Sequence, residues 1–299
     1  MTGDAAPDGD PALRATDLDQ AFGEVTVLSE VSVTVDRGEV AAVVGPNGSG
    51  KSTLLRVLAG ISAPDAGSVA VPRHAGGARS VGFLPQRPAF RSGFTARDTL
   101  QFYARLLDGV DDDDVATTLD RIGLGSVADR SVGSLSGGMT RLLGLGQAVL
   151  GDPAVLVLDE PGSGLDPAMV ERLFGILGDL AAEGAAVIVA SHELPAVEAH
   201  ADTVYVLDDG GFVASGAPET LLDETGAASL SEAFLRVVRA ETGESTVRAG
   251  AGAGAGTGTG TGTGAGTGTG PADEATADRD GEDGDGDERD GPASEGDDE

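Results

Sequence analysis

Gly45, Gly50, Lys51 and Ser52 stand in the spacing G-x-x-x-x-G-K-S, inside the stretch GPNGSGKSTLL. Glycines spaced in this way let backbone N–H groups converge on an anion, and the amine adds a compact charge on a flexible stem. The chemistry that needs both is phosphate binding. The stretch follows the apolar run EVAAVVG and opens the helical pattern KSTLLRVLAG, so a helix dipole points at the same anion. Asn47, Gly48 and Thr53 complete the predicted cradle. Lys51 is the only lysine of the chain, the other 18 basic residues being arginine. A planar guanidinium does not fit this loop geometry, which accounts for an amine retained here and nowhere else.

Asp159 and Glu160 end the apolar run VLVLDE. Open α/β sheets bind ligands at that end of their strands. Next to a bound phosphate, Asp159 together with Ser52 suits Mg2+, and Glu160 suits polarisation of an attacking water.

The scaffold that must position these groups is legible in the hydrophobic pattern. Within residues 13–45, VTVLSEVSVTV alternates apolar and polar, which predicts antiparallel strands ahead of the buried strand EVAAVVG. AVLVLDE (154–160) and AAVIVASHE (185–193) are short Val-rich runs separated by the helical pattern PAMVERLFGILGDLAAEG. Buried strands alternating with helices predict an α/β class with a parallel sheet. Between about residues 86 and 151 the pattern turns helical. Thr95 with Asp98 forms a capping box opening ARDTLQFYARLL, and GGMTRLLGLGQAVLG is a second helix. TVYVLDDGGFVASG predicts a hairpin around Asp209 to Gly211. From Gly250 to Gly270 every second residue is glycine, the composition of a flexible linker spanning on the order of 25 Å.

Composition restricts the function further. The formal net charge is -31, which excludes a general electrostatic grip on nucleic acid or anionic lipid. Residues 271–299 hold fourteen acidic residues against two arginines, so the preceding body is itself strongly acidic. No cysteine is present, which excludes a disulfide framework and a thiolate metal site. The opening MTGDAAPDGDPALR lacks the apolar core of a signal peptide. The longest apolar runs fall far short of the ~18 residues of a membrane helix, and a soluble chain is expected.

With these motifs in order, the chain resembles the nucleotide-binding subunit of ABC transporters over about residues 12–238. The most specific mark is LSGGM, Leu135 to Met139, which matches the family signature except at its last position. The resemblance implies a P-loop NTPase fold with an ABC-type antiparallel β subdomain and a helical subdomain at about 87–150. Residues 1–11 are then an expected disordered N-terminus, 239–270 a linker and 271–299 an acidic disordered tail. It also implies ATP and Mg2+ as cofactors, a homodimer of ATPase subunits, and a transmembrane permease through which the chain sits at the cytoplasmic face of the cell membrane.

Residue by residue, the resemblance assigns Phe22 to adenine stacking and Gln86, in GFLPQ, to Mg2+ and the attacking water. His192, in ASHE, falls on the γ-phosphate contact, and Asp166, in SGLD, on communication across the dimer. Ser136, Gly137 and Gly138 match the groups that hold the γ-phosphate of ATP on the opposite subunit. Phe94, Phe102 and Tyr103 are expected at the groove for a cytoplasmic coupling helix of the permease. LSGGMTRLLGLGQAVLGDP and SLSEAFLRVV are similar to ATPases of ABC-2-type exporters, and LPQRPAFRSGFTARDTLQFYARL resembles the copper-maturation ATPase of nitrous oxide reductase systems. The acidic, lysine-poor body is similar to proteins of salt-loving archaea. A soluble ABC ATPase acting on DNA or ribosomes is the alternative. Only 84 residues separate Lys51 from Leu135, too few for the coiled-coil insertion of DNA-repair members, and only one such domain is present.

Overall fold

The computed structural model describes residues 11–71 and 79–241. The expected N-terminal disorder, the linker from residue 242 and the acidic tail lie outside the described residues. The chain divides into two units, and every described helix and strand belongs to the first, Met1–Val247.

Two sheets form. β1 (Leu13–Phe22), β2 (Val25–Val35) and β4 (Ala66–Ala70) make a three-stranded antiparallel sheet in the order β2-β1-β4. The second sheet has six strands. β5 (Val81–Leu84), β6 (Val155–Asp159), β7 (Ala186–Ala190), β3 (Val40–Val44), β8 (Thr203–Asp208) and β9 (Gly211–Gly216) lie side by side in that order. All neighbours pair parallel except β8 with β9.

The central strands β3, β6 and β7 are apolar at every position except the terminal Asp159, because both faces of the large sheet are covered. Ala41, Val43, Val155, Val157, Ala186 and Ile188 pack into one core with α1 (Lys51–Leu58) and the antiparallel sheet. Their neighbours Val40, Ala42, Leu156, Leu158, Val187 and Val189 point the other way. There they meet α4 (Gly137–Val149) and α5 (Pro167–Ala182), whose Leu143, Phe174 and Leu177 are fully buried. Each such side chain removed from water contributes about 1.5–3 kcal/mol.

The helical region consists of α2 (Ala96–Ala104), α3 (Asp112–Arg121) and α4. The expected capping box is present: Asp98 N–H donates to Thr95 Oγ1 at 2.9 Å, and Thr95 N–H donates to the Asp98 carboxylate at 3.1 Å. A second box opens α3, where the Asp111 carboxylate accepts from the N–H groups of Asp113 and Asp114. The acidic run at 111–114 thus places its charges at a helix N-terminus, where the dipole favours them.

The predicted hairpin joins β8 to β9 through Asp209 and Gly210, both at positive φ (43° and 80°), the signature of a type I′ turn. The C-terminal part adds three helices: α6 (Leu194–His200), α7 (Pro218–Thr225) and α8 (Leu230–Glu241). The Glu198 carboxylate accepts the Leu230 N–H at 2.6 Å, tying α6 to the start of α8. α8 runs on to Glu241, past the approximate domain end expected at 238. Among the described residues no helix is long and apolar enough to cross a membrane.

The Thr95 box gives a direct test of helix capping. Thr95→Ala is expected to cost about 1 kcal/mol, seen as a lower urea midpoint with an unchanged slope. An unaltered midpoint would show that the cap contributes nothing to stability.

Candidate functional site

The strand order β5-β6-β7-β3 places four C-terminal strand ends in a row. Gln86 follows β5, Asp159 ends β6 and Glu160 comes next, His192 follows β7, and the phosphate loop follows β3. Asn47, Gly48, Gly50, Lys51, Ser52 and Thr53 line a cleft of about 220 Å³ together with Gln86, Glu160 and His192. Residues far apart in sequence are thus gathered by the parallel crossovers alone.

Two glycines of the loop have steric reasons. A Cβ on Gly45 would lie 2.1 Å from the Leu207 carbonyl oxygen of β8. Gly50 has φ 103°, and a Cβ there would lie 2.7 Å from the Val27 carbonyl oxygen. Any side chain at either position forces the loop away from the sheet.

Lys51 is 7% exposed, and its Nζ donates to the carbonyl oxygens of Gly45 and Pro46 at 2.8 and 2.9 Å. Burial lowers its pKa, while the carboxylates of Glu160 and Asp159 act in the opposite sense. Ser52 Oγ donates to Asp159 Oδ1 at 3.1 Å. Burial raises the Asp159 pKa, against the Ser52 hydrogen bond and the charges of Lys51 and Arg141. The hydroxyl and carboxylate form a small set of hard oxygen donors. Among the described residues no three His, Cys, Asp or Glu side chains cluster as a metal cage. One carboxylate and one hydroxyl beside a phosphate loop fit Mg2+, which keeps waters and takes substrate phosphates as its remaining ligands.

Glu160 is 5% exposed and sits at φ 49°, in the left-handed region that costs a non-glycine residue on the order of 1 kcal/mol or more. Its N–H is held by the Ala190 carbonyl at 3.0 Å. Burial pushes its carboxyl pKa up to about 7, with Lys51 opposing. His192 Nε2 lies 3.0 Å from Glu160 Oε1. The imidazole pKa is lowered, first by burial and then by Lys51, so near neutrality the contact is a hydrogen bond of a neutral ring. A carboxylate poised near neutrality and oriented by such a bond suits proton abstraction from water.

The signature residues lie elsewhere. Ser136 caps α4, its Oγ accepting the Met139 N–H at 3.2 Å, and Asp166 caps α5 by accepting the Met169 N–H at 3.0 Å. Ser136, Gly138 and Asp166 line a second cleft of about 320 Å³, and the exposed Gly137 starts the same helix. Within one chain these residues do not reach the phosphate loop's cleft. Phe22, at the end of β1, is 62% exposed and lines neither cleft.

A third cavity, of about 350 Å³, contains the aromatic residues expected for partner docking. Phe94, Phe102 and Tyr103 line it with Phe90 and Arg91. Phe102 and Tyr103 meet edge to face at 5.4 Å, and the Arg91 guanidinium lies 5.3 Å from the Phe94 ring centre. Sequence reasoning misses Val27, which lines the first cleft, and Arg141, whose guanidinium donates to the carbonyl oxygens of Gln86 and Ser163. Both act through contacts between distant segments, which a linear pattern does not display; the one available signal for Arg141 is its place two residues after LSGGM.

A phosphate loop and paired carboxylates at the carboxyl ends of a parallel sheet define a P-loop ATPase. The family model described as ABC transporter matches residues 28–163. The Nod factor export ATP-binding protein I of a Rhizobium species is 36% identical over 223 residues, covering 71% of this chain and 73% of the relative. That of Burkholderia lata is 37% identical, covering 69% and 71%. Among solved structures, an ATP-binding subunit of an ABC transporter superposes with a TM-score of 0.67 at 26% identity, covering 76% of this chain and 99% of that one. The ADP conformation of another ABC transporter cassette gives 0.66 at 27% identity, covering 79% and 100%. The chain belongs to the ATP-binding subunits of ABC transporters, and it is an ATPase.

The buried carboxylate makes stability depend on pH. Its folded-state pKa of about 7 exceeds the ordinary 4.5, so the folded form binds the proton more tightly. That contribution is complete below about 4.5 and is lost as pH rises through 7. In EDTA without nucleotide, Glu160→Gln is expected to gain on the order of 1–3 kcal/mol relative to the parent between pH 5 and 8.5. Urea unfolding at the two pH values measures it. A constant difference between the two proteins would contradict the raised pKa.

Proposed function

We propose that this chain is a motor subunit that hydrolyses ATP to drive a separate transmembrane permease, with export as the direction of transport. The observation that carries the reading is the meeting of Lys51, the Ser52–Asp159 pair and the Glu160–His192 pair in one cleft. Lys51 and the loop N–H groups from Gly45 to Thr53 hold the phosphates, and Phe22 stacks on the adenine. Ser52, Asp159 and Gln86 would hold Mg2+, which when bound neutralises charge on the phosphate oxygens. Glu160 takes the proton of the water that attacks the γ-phosphorus as the bond to ADP breaks, and His192 steadies the same phosphate.

Ser136, Gly138 and Asp166 line a separate cleft, and the exposed Gly137 starts the same helix. This supports a homodimer in which each copy completes the other's site head to tail. Export is supported by the relatives, which are export ATP-binding proteins at 36% and 37% identity. The aromatic cavity of α2 supports docking of a permease segment, and with it a location at the cytoplasmic face of the membrane.

Glu160→Gln is expected to retain ATP binding and to lose hydrolysis on the order of 10²–10⁴-fold, while Lys51→Ala loses binding itself. Normal turnover in Glu160→Gln would remove Glu160 as the base. In the complex, Phe94→Asp is expected to abolish transport while ATP binding persists. Undiminished transport in that variant would dismiss the cavity as the docking site.

A further inference from the structure

Arg141 lies in the second turn of α4, the helix that Ser136 opens. Its side chain is half-buried and leaves the helix towards the row of strand ends. Nη1 donates to the carbonyl oxygen of Gln86, and Nη2 donates to that of Ser163 at 3.1 Å. Among the described residues no other donor reaches either oxygen.

The two acceptors belong to the two segments that carry the water-handling groups. Ser163 is joined to Glu160 by a turn, its N–H donating to the Glu160 carbonyl at 3.1 Å, and the next turn runs from Leu165 N–H to Gly162. Gln86 precedes Pro88, whose ring faces α4 at Gly144; a Cβ there would meet it at 3.0 Å. One planar guanidinium therefore fastens three pieces of chain: the helix starting at the signature, the Gln86 segment, and the turn after Glu160. Burial lowers the pKa of this guanidinium, with the carboxylates of Glu160 and Asp159 acting in the opposite sense.

We propose that Arg141 is a positioning residue that sets Gln86 and Glu160 jointly relative to the signature helix, so that a displacement of α4 moves both. It acts through backbone carbonyls and touches neither ATP nor water. The fork geometry matters: a lysine at this site has charge but cannot make two divergent in-plane donations. The inference rests on Glu160 and Gln86 handling the attacking water.

The test is steady-state MgATP hydrolysis by the full chain carrying Arg141→Lys, with Arg141→Met as a second variant and Glu160→Gln as the reference. A misplaced base costs turnover rather than binding, so kcat is expected to fall on the order of 10–100-fold. KM should stay within about threefold and the thermal midpoint within about 3 °C of the parent. If Arg141→Lys keeps normal kcat, charge alone suffices and the positioning role is overturned. A rise in KM with unchanged kcat, or a loss of activity that follows a loss of folded protein in both variants, overturns it equally. Normal hydrolysis by Glu160→Gln instead removes the reading of the base, whatever Arg141 does.

Discussion

Burying two adjacent carboxylates beside one ammonium group is the constraint to which the rest of this molecule answers. Asp159 and Glu160 are each 5% exposed. In so dry a place a lone charge is costly, and a pair of like charges more so. Lys51 compensates from the facing loop, Ser52 hydrogen-bonds one carboxylate, and His192 meets the other. None of these partners is near in sequence, so only a sheet that holds β3, β6 and β7 as neighbours can supply them. The apolar strands, covered on both faces, are what keep that registration fixed.

The same constraint gives the two carboxylates different surroundings. Asp159 is engaged by the Ser52 hydroxyl and sits within the strand, which suits a fixed ligand. Glu160 lies just past the strand at a left-handed φ and is left with a pKa of about 7. Burial raises the pKa of both, yet adjacent residues of one chemical type sit in different surroundings, one suited to holding a cation and the other to accepting a proton.

Much of this can be read from the chain. The phosphate loop, the buried strands ending in Asp159 and preceding His192, the Thr95 capping box and the Asp209–Gly210 turn all rest on local pattern and stand where that pattern puts them. β4 and β5 do not stand out in the sequence, because five and four residues give too few periods to register, and β4 is mostly exposed. α3 merges into a general helical region although its acidic cap is visible. What the pattern cannot contain are contacts set by the order of strands in the sheet: the 3.0 Å approach of His192 to Glu160, and the reach of Arg141 to carbonyls 55 and 22 positions away.

The solitary lysine has a consequence for how this protein can be studied. Every other cationic side chain is a guanidinium or an imidazole, so Lys51 Nζ is the one side-chain primary amine in the sequence. It is buried at the floor of the phosphate cleft and hydrogen-bonded to the loop's own carbonyls. Acylating reagents that modify amines at random on ordinary proteins here face the α-amino group and a single shielded target. The chain therefore holds a built-in chemical reporter at the centre of its site, whose reactivity is a measure of how open the phosphate loop is.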